Sequence, residues 1–152
     1  MKWTTKDIDL YLKSKEYVDT AIVPLLPVTF DNNLKKTVEI GEFTTVLSQE
    51  IERQFKGRVV LFPSFTYSET EGIESSLSRL SSWSDESLTS GFKHLIFITS
   101  DTTWKQHEES LKGSLISIPT LPLEHLDDRL KQSMLQDQMK GLITIFMRIW
   151  QD

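Results

Sequence analysis

The chain has 152 residues, of which 38% are hydrophobic and 26% charged, a balance typical of one compact globular domain and not of a disordered segment. Its 22 acidic and 17 basic residues give a net charge of −5, and the basic residues are scattered, which argues against nucleic acid or an anionic membrane as a partner. The sequence has no cysteine, which excludes disulfides, thiolate metal sites and cysteine nucleophiles.

The first half of the chain alternates helical and strand patterns. Thr4 and Asp7 have the spacing of a helix N-terminus. The apolar run 20–28 (TAIVPLLPV) that follows is typical of a strand covered on both faces. In 42–57 (EFTTVLSQEIERQFKG) apolar residues recur every three or four positions, and a glycine comes where a helix would end. The run 58–62 (RVVLF) then predicts a second buried strand.

Serine-rich sequence separates the second strand from the third. Ser68 and Glu71 have capping-box spacing ahead of a third predicted helix. Serine is so frequent in 75–91 that helix propensity is poor, and we expect a frayed helix or a mobile loop around 83–90, with a regulatory loop as the alternative. The runs 94–98 (HLIFI) and 114–118 (SLISI) predict the third and fourth buried strands.

Two further helices are predicted in the second half. Thr103 and Gln106 repeat the capping spacing and indicate a short helix between the last two strands. An apolar stripe predicts a long C-terminal helix over about 123–150. Gly141 interrupts that stripe and indicates a bend or a close contact between helices.

This order of elements predicts a fold class. Strands that alternate with helices imply right-handed crossovers and a parallel sheet with helices on both sides. We therefore predict one α/β domain over 1–152: a three-layer αβα sandwich with a four-stranded, mostly parallel sheet of Rossmann-like or flavodoxin-like type, an N-terminal helix and a long C-terminal helix.

In such a sheet, ligands bind beyond the carboxyl ends of the strands, where the strand order reverses. The polar residues that follow the four predicted strands are therefore the candidate ligand edge: Asp31, Ser64, Tyr67, Asp101 and His125. The other interpretation is structural. Ser68 and Asp101 stand where helix caps are needed, and Pro63 lacks the amide that a central strand must donate.

Sequence motifs of known chemistry are missing. The chain contains no glycine-rich phosphate loop, nucleophile elbow or HExxH motif, so we predict no cofactor and no catalytic residue. Asp31, Asp101 and His125 could together hold a metal ion through oxygen and nitrogen ligands, and this is the alternative.

Two stretches carry a family resemblance: KDIDLYLKSKEYVDTAIVPLLPV near the start and GEFTTVLSQEIERQFKGRVVLFPSFTY in the middle. Over essentially its whole length the sequence resembles the YpiF-like family of short Bacillus-type proteins of unknown function. That resemblance implies no mechanism.

The first half of the chain, in which VPLLPV and a helix lead to VVLFPSFTYSE, is also similar in order to the creatininase-type amidohydrolases, which are α/β metal enzymes. The metal loops of those enzymes carry Glu-Gln-His-Gly and Asn-Gly-His-Gly-Gly, whereas the corresponding stretches here read TFDNN and TSDTTW. Only Asp31 and Asp101 remain as ligands, so the resemblance implies a reduced, non-catalytic relative.

Two functions stay open at this point. The leading one is a cytoplasmic, non-catalytic domain that binds a protein or a small molecule, with no nucleic-acid or membrane partner. The alternative is a metal-dependent hydrolase of creatininase type. Phe146, Ile149 and Trp150 near the C-terminus either pack in the core or form the surface of a homodimer.

Overall fold

The computed structural model describes residues 1–151. The elements in chain order are α1 (Thr5–Lys13), β1 (Thr20–Val28), α2 (Leu34–Gln54), β2 (Val59–Leu61), β3 (Phe65–Ser68), α3 (Ile73–Thr89), β4 (His94–Thr99), β5 (Ser114–Ser117) and α4 (Asp128–Gln151). Two 3₁₀ segments, Glu69–Glu71 and Thr102–Ser110, follow β3 and β4. Within residues 1–151, none of the helices is both long and apolar enough to cross a lipid bilayer.

The strands form one parallel sheet. Its order is β2-β1-β4-β5, and β3 pairs with β1 beyond the end of β2. Because the strand order reverses between β1 and β4, the crevice that binds ligands in related architectures would lie at the carboxyl ends of these two strands. The predicted α/β fold is confirmed, with a fifth strand added to the four that were expected.

The second predicted strand is in fact a pair, β2 and β3, aligned along the same side of β1. Hydrogen bonds from Thr20 and to Ile22 show that even-numbered residues of β1 face this side. Pro24 therefore faces the gap between β2 and β3, where Pro63 interrupts the pairing. Pro27 faces β4, but lies beyond the last paired residue of that strand. Neither proline in β1 stands where a neighbouring strand needs an amide donor, which explains how a central strand tolerates two of them.

The two faces of the sheet bury separate apolar cores. On one face, α2 and α4 cover side chains that include Ile22, Ile96 and Phe146. On the other face, α1, α3 and the 3₁₀ segment Thr102–Ser110 cover a core that includes Phe65 and Trp104. The structure thus has three layers, as predicted.

The serine-rich segment is a regular helix, so the expectation of a frayed helix or mobile loop was wrong. The buried Ser76, Ser84 and Ser87 donate their hydroxyl protons to the carbonyls four residues earlier, at 2.8–3.3 Å. These bonds satisfy the hydroxyls inside the helix, and the small side chains let α3 approach the sheet closely.

Three other local predictions need correction. The segment 102–110 is a 3₁₀ helix, although its predicted cap is present: Asp101 accepts a hydrogen bond from the Thr103 amide. The last helix begins at Asp128 and not near 123. A β-carbon added at Gly141 would meet open space, so this glycine marks no close contact between helices.

The end of α4 is fixed to the sheet by polar contacts. The Trp150 indole donates a hydrogen bond to Thr20 Oγ1 at 2.8 Å, and the Arg58 guanidinium lies 4.2 Å from the Trp150 ring centroid. Phe146 is fully buried. These residues therefore serve the core, and they do not supply the free surface that was considered for a homodimer.

Candidate functional site

The carboxyl edge of the sheet brings together two of the five candidate residues. Tyr67 lies in β3 and Asp101 follows β4, and the Tyr67 hydroxyl donates a hydrogen bond of 2.6 Å to Asp101 Oδ2. The other carboxylate oxygen of Asp101 accepts from the Thr103 amide at 3.0 Å. The Tyr67 ring packs edge-on against the buried Trp104, with 5.0 Å between ring centroids. Both oxygens of Asp101 are thus used inside the protein.

Burial governs the protonation of the Tyr67 phenol. Burial of the Tyr67 phenol, and then the neighbouring Asp101 carboxylate, raise the pKa of Tyr67 well above its usual value, while Trp104 and Thr99 oppose this shift. The tyrosine therefore stays protonated and acts as a hydrogen-bond donor. Such a phenol is unsuited to the role of a general base at neutral pH.

Three hydroxyl side chains cluster beyond the carboxyl end of β4. The Ser100 hydroxyl lies 3.2 Å from Thr44 Oγ1 and 3.1 Å from Thr120 Oγ1, and it also donates to the Ile40 carbonyl at 3.3 Å. Thr44 and Ser100 are buried. These hydroxyls bond to one another and to the α2 backbone, so their hydrogen-bonding capacity is already used by the protein. Two cavities of about 250 and 380 Å³ remain beside α2 at the same edge.

The remaining candidates do not join the Tyr67–Asp101 pair. Asp31 is exposed in the turn after β1, where it accepts from the Asn33 amide at 2.8 Å. Ser64 lies between β2 and β3, not at the end of a strand. His125 is 88% exposed, beside Glu124. Across residues 1–151 no three His, Asp or Glu side chains are arranged to hold a metal ion, so the metal site considered from the sequence is not formed.

Another concave surface lies on the face of the sheet that α1 and α3 cover, between these two helices. This aromatic groove has a volume of about 500 Å³ and contains five aromatic side chains: Trp3, Tyr11, Phe62, Trp83 and Phe92. The volume falls within the range of small-molecule and side-chain pockets, and apolar walls with few polar groups are typical of such sites.

Four of these aromatic rings form a continuous row. Trp3 contacts Phe62 with 4.9 Å between ring centroids, Phe62 contacts Phe92 at 5.4 Å, and Phe92 stacks on Tyr11 at 5.5 Å. Trp83 stands on the α3 wall. The centroid distances in this row are those of favourable aromatic pairs.

The α1 wall of the groove buries little of its own surface. None of the residues of α1 is fully buried, and only Ile8 and Tyr11 pack against the core. Two charged side chains stand at the rim, Lys15 beyond α1 and Glu86 on α3. The groove therefore combines an apolar floor with one positive and one negative charge at its margins.

Sequence reasoning missed this groove. Its aromatic residues come from four separate segments, and each looks like an ordinary packing residue when taken alone. Trp3 was the one sequence signal for an apolar surface here, because this large aromatic residue lies in a charged N-terminal stretch, outside any predicted strand or helix.

The chain was compared with known proteins. A family model described as a protein of unknown function (DUF2487) matches residues 9–150. The uncharacterised protein YpiF of Bacillus subtilis (strain 168) is 37% identical to this chain over 150 residues, which are 99% of this chain and 98% of that protein. No solved structure matches the chain. The resemblance to the YpiF-like family is thereby confirmed, whereas these matches give no support to the creatininase resemblance, and the chain belongs to the DUF2487 family of proteins of unknown function.

Proposed function

We propose that this protein is a non-catalytic binding domain and that it binds through the aromatic groove between α1 and α3. The observation that carries the proposal is the groove itself, about 500 Å³ of concave surface with five aromatic side chains. Trp3 is 55% exposed at this site, and covering apolar surface in a concave site with a ligand or partner gains free energy.

The carboxyl edge, where the sequence placed the ligand, has less support. Its central groups, Tyr67, Asp101 and Ser100, bond to one another or to nearby backbone. A ligand there would have to replace hydrogen bonds that the protein already makes, at a cost for each donor left unpaired. The hydrolase alternative has no metal-binding geometry within residues 1–151 to support it.

A dye titration tests the proposal. N-phenyl-1-naphthylamine is uncharged and apolar, and its absorption overlaps the emission of tryptophan. We expect it to bind with enhanced fluorescence and to accept excitation energy from Trp3 and Trp83, which line the groove. Truncation of Trp3 to alanine should weaken dye binding about three- to tenfold, because one aromatic contact is lost.

The matched control is Phe30→Ala. Phe30 is a similarly exposed aromatic residue, 87% accessible, but it follows β1 at the carboxyl edge. Its removal should leave dye affinity unchanged. A protein that binds no dye, or one in which Phe30→Ala weakens binding while Trp3→Ala does not, would show that the aromatic groove is not the binding surface.

A further inference from the structure

The geometry points to a second copy of this chain as the occupant of the aromatic groove, in a homodimer with two-fold symmetry. This inference rests on the proposed function, since it takes the groove as the binding surface and names what binds there. A two-fold interface is made from the same patch on both subunits, so that patch must carry both projecting and receiving features.

The projecting features lie on and beside α1. Trp3 is 55% exposed at the rim of the groove, and Leu12, one turn after Ile8 on α1, is 57% exposed. Trp3 contacts Phe62 with only part of its ring area, and Leu12 does not pack against the core, whereas Ile8 and Tyr11 of α1 do. The same helix therefore forms one wall of the groove and presents apolar side chains next to it.

The charges at the rim are self-complementary. Lys15 stands on the α1 side and Glu86 on the α3 side, and neither forms an ion pair in the part of the chain from 1 to 151. A two-fold axis through the groove would bring Lys15 of each copy toward Glu86 of the partner subunit, which makes two equivalent ion pairs. A ligand of single charge would be attracted by one side of the rim and repelled by the other.

Charge exchange tests this arrangement. Sedimentation velocity would be measured over a range of concentrations for the wild type, Lys15→Glu, Glu86→Lys and an equimolar mixture of the two variants. In a homodimer of either variant, residues 15 and 86 carry the same charge, so both contacts across the interface become repulsive. We expect the dissociation constant of that dimer to rise at least about tenfold. In the mixture, a heterodimer of the two variants restores both ion pairs, so dimer should form again. The affinity of this heterodimer should fall as the salt concentration rises.

Control variants separate this effect from a change of net charge. Lys140→Glu alters an exposed residue of α4 by the same charge as Lys15→Glu, and it should leave the dimer intact. Circular dichroism would verify that Lys15→Glu and Glu86→Lys are folded, as expected for exposed side chains. Saturating dye should shift the wild type toward monomer, because dye and partner compete for the groove.

The outcomes distinguish the two proposals. A wild type that binds dye but stays monomeric at the highest attainable concentration overturns the dimer and leaves the binding function in place. A dimer whose stability is the same in both variants and in their mixture also overturns the inference, since its interface then lies elsewhere. A monomer that binds no dye removes both.

Discussion

Replacement of Tyr67 by phenylalanine tests whether the carboxyl edge serves the fold. The substitution keeps the aromatic ring against Trp104 and removes the 2.6 Å hydrogen bond to Asp101. A hydrogen bond to a charged group contributes about 1.5–3 kcal/mol. Asp101 is half-buried and keeps its bond from the Thr103 amide, so water can compensate in part. We expect the free energy of unfolding to fall by about 1.5 kcal/mol, and the melting temperature by roughly 3–6 °C.

A double-mutant cycle measures the pair directly. Urea unfolding of the wild type, Tyr67→Phe, Asp101→Ala and the double variant gives the coupling free energy, in which the capping contribution of Asp101 cancels. We expect a coupling of about 1 kcal/mol. Tyr17→Phe is the control, because Tyr17 is 69% exposed, and its unfolding free energy should stay within about 0.5 kcal/mol of the wild type.

The pH dependence gives a second readout. Since the pKa of Tyr67 is higher in the folded state than its usual value of 10.0, its contribution to stability is complete below about pH 10 and is lost as the pH rises further. The difference in stability between wild type and Tyr67→Phe should therefore narrow above about pH 10. A coupling below about 0.3 kcal/mol, or a difference that does not depend on pH, would refute the structural role of the pair.

Three further predictions concern other parts of the fold. A hydrogen bond donated by Arg79 on α3 lowers the pKa of Glu71 to about 2, so the contribution of Glu71 to stability is present above about pH 4.5 and is lost as the pH falls toward 2. The melting temperatures of wild type and Glu71→Gln should therefore differ at pH 7 and converge in acid, and a difference that stays constant would contradict this. Gly113→Ala should lower the free energy of unfolding, measured in urea, by roughly 2 kcal/mol, because the new methyl group would overlap the backbone of β4. Gly141→Ala meets open space on α4 and should raise the free energy of unfolding by about 0.5–1 kcal/mol. Equal effects of the two alanines would count against this packing. Trp150→Phe keeps an aromatic ring but loses the indole hydrogen bond to Thr20, and thermal unfolding should show a loss of about 1 kcal/mol; an unchanged stability would mean that this bond does not fix α4.

The layers of the fold could be predicted from the sequence because buried strands and amphipathic helices have strong periodic patterns. The run 20–28 matches β1 in full, since nine residues covered on both faces leave no place for alternating polar residues. The capping residues Thr4 and Asp101 were also correct, because the need to satisfy amides at a helix start is local.

The strand β3 and the regular end of the helix α3 could not be predicted in the same way, although the presence of a helix after Glu71 was predicted. β3 (Phe65–Ser68) alternates aromatic and polar residues as a half-buried strand does, but four residues shortly after a proline are too few to distinguish a strand from a loop. It pairs as a strand because β1 is long enough to extend past β2. The helix α3 has low intrinsic propensity, and its stability comes from tertiary packing of Leu80 and Trp83 against the sheet. Both elements depend on partners distant in sequence.

The positions of the polar residues explain why the expected site and the groove lie in different places. Polar residues after parallel strands indicate a ligand only if they remain unsatisfied in the folded protein. In this protein Tyr67 satisfies Asp101, and Thr44 and Thr120 satisfy Ser100, so these polar groups of the carboxyl edge are already paired within the protein. The aromatic groove has the opposite property, since no side chain of residues 1–151 fills it. A surface whose apolar groups are left without partners, beside a helix with no fully buried residue, is where binding can gain the most free energy.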